Sequence, residues 1–131
     1  MGKAATKTLH PSNFVWAVFL EMANRGKTEF PISRVDWHKA FYDAREEFGK
    51  RLPEFDVLKT INPYVHDLEE GIHYAILCGH LSSIICSSHG GNTYRLENLD
   101  GLRRVQSEFS RPQQELLGEF ARYVVDRVNS K

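Results

Sequence analysis

Apolar residues recur at the spacing of a helical face in four long stretches of the chain. Each stretch begins at a residue whose side chain favours the N-cap position of a helix: Ser12, Ser33, Asp67 and Ser110. Gly26 and Gly79 follow the first and third stretches, where a glycine commonly ends a helix. The pattern therefore predicts four main helices, and it predicts shorter helices in residues 53–61 and 99–109.

Three short segments have the pattern of β-strands. Residues 27–33 alternate between apolar and polar, but Pro31 cannot donate a hydrogen bond to a neighbouring strand, so a short edge strand is predicted. Residues 81–86, LSSIIC, are typical of a buried strand, and residues 93–97 return after a glycine-rich turn at 90–92. The third main helix is therefore expected to lead directly into a β-hairpin.

The predicted order of elements is helix, strand, helix, short helix, helix, hairpin, short helix and long helix. From Ser12 to Leu96 this order is similar to the connectivity of a winged-helix domain, in which a hairpin follows the third helix. We therefore predict a mainly helical α+β fold, winged-helix-like, with a small antiparallel hairpin and a long C-terminal helix. Residues 1–11 are expected to form a disordered tail, and residues 12–131 a single globular domain.

The composition is that of an ordinary globular protein, with 41% hydrophobic and 26% charged residues. No apolar run approaches the ~20 residues that span a membrane, and the N-terminal residues lack the apolar core of a secretory signal. We therefore expect a cytoplasmic protein without membrane contact. In that compartment Cys78 and Cys86 would stay reduced, so no disulfide scaffold is predicted.

The charge balance weighs against general nucleic-acid binding. The chain has 17 Lys and Arg against 17 Asp and Glu, whereas nucleic-acid binders usually concentrate basic residues on one face. In winged-helix DNA binders the third helix enters the major groove, but here its expected exposed positions include Glu69, Glu70, His73 and Tyr74. The residues that could contact phosphate are Arg95, Arg103, Arg104 and Arg111.

Four residues within twelve positions are of types that bind zinc: Cys78, His80, Cys86 and His89. Their spacing differs from that of the familiar zinc fingers, and alternate residues of a strand point to opposite faces. They are kept as metal-ligand candidates, although a buried cysteine pair flanked by surface histidines is the favoured interpretation. No metal and no other cofactor is predicted.

No arrangement of residues predicts a catalytic site. An activated cysteine needs an electropositive and partly exposed setting, whereas both cysteines follow apolar segments. A small enzyme with a Cys/His site around Cys86, His89 and Tyr94 is therefore only the third hypothesis.

The neutral charge, the acidic third helix and the apolar last helix favour a non-catalytic regulatory module that binds another protein or a second copy of itself. The residues predicted to take part are Trp16, His73, Tyr74, Leu116 and Phe120. Trp16 lies off the main apolar face of the first helix and is the best candidate for an exposed aromatic contact, although core packing is the more common fate of a tryptophan. The apolar face of the last helix either completes the core or meets a second copy. A DNA-binding transcriptional regulator of winged-helix type is the second hypothesis.

Overall fold

The computed structural model describes residues 8–58, 63–87 and 91–129. The helices in these ranges are α1 (Pro11–Asn24), α2 (Arg34–Phe48), α3 (His66–Leu77), α4 (Leu99–Ser107) and α5 (Arg111–Asn129). The strands are β1 (Glu29–Ser33), β2 (Val57–Leu58), β3 (Tyr64–Val65), β4 (Leu81–Ser87) and β5 (Gly91–Leu96). The chain is mainly helical with a small antiparallel sheet, as predicted. The tail predicted for residues 1–11 lies mostly outside the described residues.

The main sheet has the strand order β1-β5-β4, and its neighbouring strands are antiparallel. The Leu96 N–H donates to the Thr28 carbonyl at 2.8 Å, so in this register the backbone groups of Phe30 and Ile32 also face β5. Pro31 lies between them and directs its backbone toward the open edge. Its missing N–H therefore removes no bond from the sheet, and the predicted edge strand is confirmed.

Local sequence signals set several helix ends as predicted. The Ser33 hydroxyl caps α2 by accepting a hydrogen bond from the Asp36 N–H at 2.9 Å. At the end of α3, Gly79 has a φ of 79°, and the His80 N–H bonds to the Ala75 carbonyl at 2.8 Å. These two features form a Schellman motif, which turns the chain from α3 into β4.

Two of the predicted helix caps are wrong. α1 begins at Pro11, so Ser12 lies inside the helix; proline suits the first helical position, where an N–H has no partner within the helix. Asp67 also lies inside its helix, because the N-cap of α3 is Val65. The Asp67 carboxylate instead accepts a hydrogen bond from the Asp56 N–H at 2.6 Å.

The short helix predicted for residues 53–61 is wrong as well. After α2 the chain forms a 3-10 turn at Gly49–Arg51, and β2 then pairs antiparallel with β3. The connection between these two strands, residues 59–62, lies outside the described residues. The pairing of β2 with β3 joins residues six to eight positions apart, and this pairing overrides the local spacing of apolar residues.

The core is built around α1, which packs against both α3 and α5. Phe120 of α5 lies at its centre and has no exposed surface. Its ring centroid is 5.0 to 6.0 Å from those of Phe14, Phe41, Phe48 and Phe55. The apolar face of α5 therefore completes the core within one chain. Over the described ranges, none of the helices combines the length and apolar character that a membrane span requires.

Candidate protein-interaction surface

One face of α3 is buried tightly against α1. Leu68, Ile72 and Ala75 on this face are 5% exposed or less. A Cβ added at Gly71 would lie 2.7 Å from the Cβ of Val15, so the two helices approach more closely than any larger residue would permit. This close packing fixes the orientation of α3 and directs its opposite face outward.

The outward side of α3 is apolar near the C-terminal end of the helix. Tyr74, Ile76 and Leu77 are 46%, 40% and 66% exposed. We call these three residues the α3 apolar surface. Tyr74 and Leu77, three residues apart, lie on one side of the helix, and Ile76 lies about 100° around the axis from Leu77. Single exposed apolar residues are common, but several close together mark sites of contact with another molecule.

The N-terminal half of the same helix is acidic. The Glu69 and Glu70 side chains are each 44% exposed, and Glu70 lies 3.4 Å from the His66 ring. Partial burial raises the pKa of the neighbouring Asp67 carboxyl, although its hydrogen bond from the Asp56 N–H acts in the opposite direction. Carboxylates therefore stand beside the α3 apolar surface along the helix.

The acidic residues near α3 belong to a wider segregation of charge along the sequence. Between positions 52 and 94 the only Lys or Arg is Lys59, against five carboxylates: Glu54, Asp56, Asp67, Glu69 and Glu70. The rest of the chain contains the other 16 basic residues and 12 acidic residues. The zero net charge thus combines an acidic central segment with basic flanking segments.

A buried histidine holds Glu69 in position. The Nδ1 atom of His38, which is 1% exposed, accepts a hydrogen bond from the Val65 N–H at 2.9 Å. In the neutral ring the proton is therefore on Nε2, which donates to the Glu69 carboxylate at 2.8 Å. The Tyr64 ring stacks on the imidazole with 4.9 Å between centroids. These contacts join α2, β3 and α3. His38 was not among the residues predicted from the sequence to form a site.

The sequence did contain one signal for this histidine. His38 follows Trp37 and precedes Ala40 and Phe41, three residues that are buried in α2. A polar side chain on the buried side of a helix requires a hydrogen-bond partner. Its partners lie on β3 and α3, however, and no local pattern specifies them.

Three of the residues proposed for protein contact lie on α1 and α3 and have different environments. His73 and Tyr74 are exposed on α3, as expected. Trp16 is not an exposed contact: it is only 9% exposed and its Nε1–H donates to the Gly71 carbonyl at 2.9 Å, so it has the core packing that the sequence left open. The indole packs into the contact between α1 and α3.

The two residues proposed on the last helix lie toward the core. Phe120 is fully buried, and Leu116 is partly buried and packs against the same cluster. The broad apolar face of α5 is therefore accounted for inside one chain. Self-association through this helix stays a prediction.

The four arginines proposed for phosphate contact are exposed, but they lie outside α3. Arg95 on β5 pairs with Glu29 of β1 at 3.0 Å. Arg103 and Arg104 are neighbours on α4, where they diverge by about 100°, and Arg111 is the first residue of α5. α3 itself contains neither Lys nor Arg.

The proposed zinc ligands differ in their surroundings. Cys78 is exposed at the end of α3, whereas His80 is buried and packs edge-on against the Trp16 ring, with 5.0 Å between centroids. The Nδ1 atom of His80 has no hydrogen-bond partner in the described part of the structure. The Cys86 side chain and His89 lie outside that part. Among the described residues, no three His, Cys, Asp or Glu side chains gather as a metal site.

A cavity of about 550 Å³ lies between α1, β1, α2 and the end of α5. Met22, Phe30 and Trp37 form its buried apolar wall, and Lys27 and Glu29 lie at its exposed rim. The described residues that line it include neither cysteine nor histidine. This cavity is therefore unrelated to the Cys/His site considered from the sequence.

Comparison with protein-family models, with curated proteins and with solved structures gives no match for this chain.

A helix that packs on a stable core usually turns its apolar side chains toward that core. The α3 apolar surface instead leaves apolar side chains exposed beside carboxylates. These are therefore the features that require a functional explanation.

Proposed function

We propose that this chain is a non-catalytic interaction module of winged-helix type, which binds another protein through the exposed side of α3. The observation that carries this proposal is the α3 apolar surface: Tyr74, Ile76 and Leu77 are exposed within one turn of a firmly packed helix. Burying an apolar side chain in an interface stabilises a complex by roughly 1.5–3 kcal/mol when burial is complete. Tyrosine is also among the residues that dominate binding energy at protein interfaces.

The order of the elements supports the winged-helix interpretation. α1, β1, α2 and α3 precede the hairpin of β4 and β5, and β5 lies between β1 and β4 in the sheet. One feature differs from a helix-turn-helix, in which a turn of about three or four residues joins the second and third helices. Here residues 49–65 join them and include the β2–β3 pair.

The chemistry of α3 favours a protein partner over DNA. A helix that reads bases in the major groove uses Arg, Lys, Asn or Gln side chains. The exposed side of α3 instead presents Glu69 and Glu70, whose carboxylates repel phosphate, and a group of apolar side chains. DNA binding stays the alternative, because Arg103, Arg104 and Arg111 are exposed on the neighbouring helices.

Site-specific photo-crosslinking in cells of the source organism tests the proposal. A photoreactive phenylalanine derivative replaces Leu77 in the full chain, and a matched control carries it at Val35, which is 51% exposed on α2. We expect a discrete adduct with another protein from position 77 and none from position 35. The partner identified in the adduct is then purified and titrated with the wild-type chain and with Leu77→Ser.

We expect Leu77→Ser to weaken that complex at least about tenfold, which corresponds to roughly 1.4 kcal/mol. Because Leu77 is exposed, its replacement should change the free energy of unfolding by no more than about 0.5 kcal/mol. A partner that binds Leu77→Ser as tightly as the wild type would contradict the proposal. Equal crosslinking from both positions would also contradict it. Tight binding of a mixed-sequence duplex that weakens steeply with salt would favour the DNA alternative.

A further inference from the structure

Resting on the proposed function, we infer that the partner element seated on α3 is a basic amphipathic helix. Its apolar side chains would contact Tyr74 and Leu77, and its Lys or Arg side chains would pair with Glu69 and Glu70. This inference names the chemistry of the partner, which the proposed function leaves open.

The dimensions of the surface fit a helix. From Glu69 to Leu77 the helix rises by about 12 Å, which is slightly more than two turns. Glu70, Tyr74 and Leu77 are spaced by four and three residues, so they form one ridge along the exposed side of α3. A partner helix that docks through residues at the same spacing meets this ridge over two turns.

The sign of the charge specifies the partner further. Glu69 and Glu70 lie beside the apolar residues, on a helix that contains neither Lys nor Arg. They lie in the segment of the chain where five carboxylates stand against one lysine. A partner with basic residues next to its apolar ridge would pair with these carboxylates, whereas an acidic partner would be repelled.

The same charges argue against the α3 helix of a second copy as the occupant. Two α3 helices packed face to face would bring carboxylates toward carboxylates or toward the apolar residues, with no Lys or Arg from either helix. Neither arrangement compensates the desolvation of the acidic groups. The occupant is therefore not another α3 helix but a surface of the opposite charge.

The Glu69 side chain is held in place before a partner binds. Its carboxylate accepts the Nε2–H of buried His38 at 2.8 Å, so the side chain is held from the interior of the protein. Restricting a side chain before binding lowers the entropy lost when the complex forms.

Three labelled peptides of about 18 residues, roughly five helical turns, serve as probes in fluorescence anisotropy with the full chain. The first places leucine at helical spacing and lysine elsewhere. The second replaces every lysine with glutamate, and the third scrambles the first so that the apolar residues no longer share a face. We expect the first peptide to bind at least about fivefold more tightly than the scrambled peptide, and the acidic peptide to show no binding.

The double variant Glu69→Gln/Glu70→Gln tests the charge directly. Glutamine keeps an oxygen that accepts the His38 Nε2–H, so only the charge is lost. We expect this variant to bind the basic peptide about tenfold more weakly and with less dependence on salt between about 50 and 200 mM. The matched control, Glu46→Gln/Glu47→Gln, removes two exposed charges from α2 and should change the affinity less than twofold.

The outcomes separate this inference from the proposed function. If Leu77→Ser weakens binding but Glu69→Gln/Glu70→Gln does not, the α3 surface binds proteins, but the inference that its partner is basic is wrong. Equal losses from the two double variants, or equal binding of the scrambled peptide, would mean general attraction of charges and would also overturn the inference. If replacing Leu77 changes the affinity for neither the peptide nor the crosslinked partner, both the proposed function and this inference are wrong.

Discussion

Val15 and Gly71 face each other across α1 and α3, and they set how closely the two helices pack. An alanine Cβ at position 71 would lie 2.7 to 2.9 Å from three side-chain atoms of Val15. Overpacking of this kind costs about 1–3 kcal/mol, whereas alanine gains about 1 kcal/mol over glycine inside a helix. We therefore expect Gly71→Ala to lower the free energy of unfolding by up to about 2 kcal/mol, the difference between these two effects, measured by urea denaturation.

Two further variants show whether the loss comes from this contact. Gly118 lies in α5, where an added Cβ would meet only the flexible end of Arg122 at 3.3 Å. Gly118→Ala should therefore stabilise the protein, by up to about 1 kcal/mol. Val15→Ala removes two of the three contacting atoms but keeps the Cβ at 2.7 Å, so Gly71→Ala should cost less in that background without becoming favourable. An increased stability of Gly71→Ala itself would show that α1 and α3 pack less closely.

Trp16 shows what the apolar stripe of α1 left undecided. Because this residue lies off the main stripe, the sequence left it as either an exposed contact or a core residue. In the structure every residue from Phe14 to Phe19 is buried, since α1 packs against α3 on one side and α5 on the other. A helix that is apolar on all sides is a buried central helix, and the run FVWAVF carries that signal. The Gly71 carbonyl that receives the indole N–H lies 55 residues away in sequence.

At the scale of whole elements, the features that depend on one helical turn were predictable, and those that depend on pairing or packing with another element were not. Gly79 closes α3 through bonds within one helical turn. Val57–Leu58 becomes a strand by pairing with β3, six to eight residues further along the chain, which no helical spacing reveals. The candidate surface follows the same rule: the acidic start of α3 was visible in the sequence, whereas the exposure of Ile76 depends on how α3 packs against its neighbours.

The start of α5 illustrates a local signal that the structure confirms. The Ser110 hydroxyl accepts a hydrogen bond from the Gln113 N–H at 3.3 Å, and the Gln113 side chain accepts one from the Ser110 N–H at 3.0 Å. This reciprocal pair is a capping box. We expect Ser110→Ala to lower the free energy of unfolding by about 1 kcal/mol, measured by chemical denaturation.

Ser12 provides the matched control for the cap at Ser110. The sequence predicted Ser12 as the cap of α1, but the residue lies inside the helix after Pro11. Ser12→Ala should therefore leave the stability within about 0.5 kcal/mol of wild type, because alanine is a good helix former. Equal losses from the two variants would contradict the assigned start of α1.

At the scale of the whole molecule, the zero net charge conceals an uneven distribution. The acidic segment from 52 to 94 includes α3, whereas the basic excess belongs to the remaining residues. The net charge of the chain therefore gave little information about its partners. The distribution becomes informative only when α3 is known to expose its carboxylates next to apolar side chains.

The position of α5 determines whether residues 12–131 fold as one unit, as the sequence predicted. Phe120 contacts aromatic rings from α1 and α2 and the Phe55 ring that follows them. Large-to-small changes at such sites cost about 3–5 kcal/mol, so Phe120→Ala should consume much of the stability of a domain this size. We expect a chain ending at Ser110 to lack a cooperative urea transition and native near-ultraviolet circular dichroism. Leu116→Ala, at a partly buried site, should cost much less. If the shortened chain instead unfolds cooperatively, α5 is an appended helix, and its apolar face is open to the self-association predicted from the sequence.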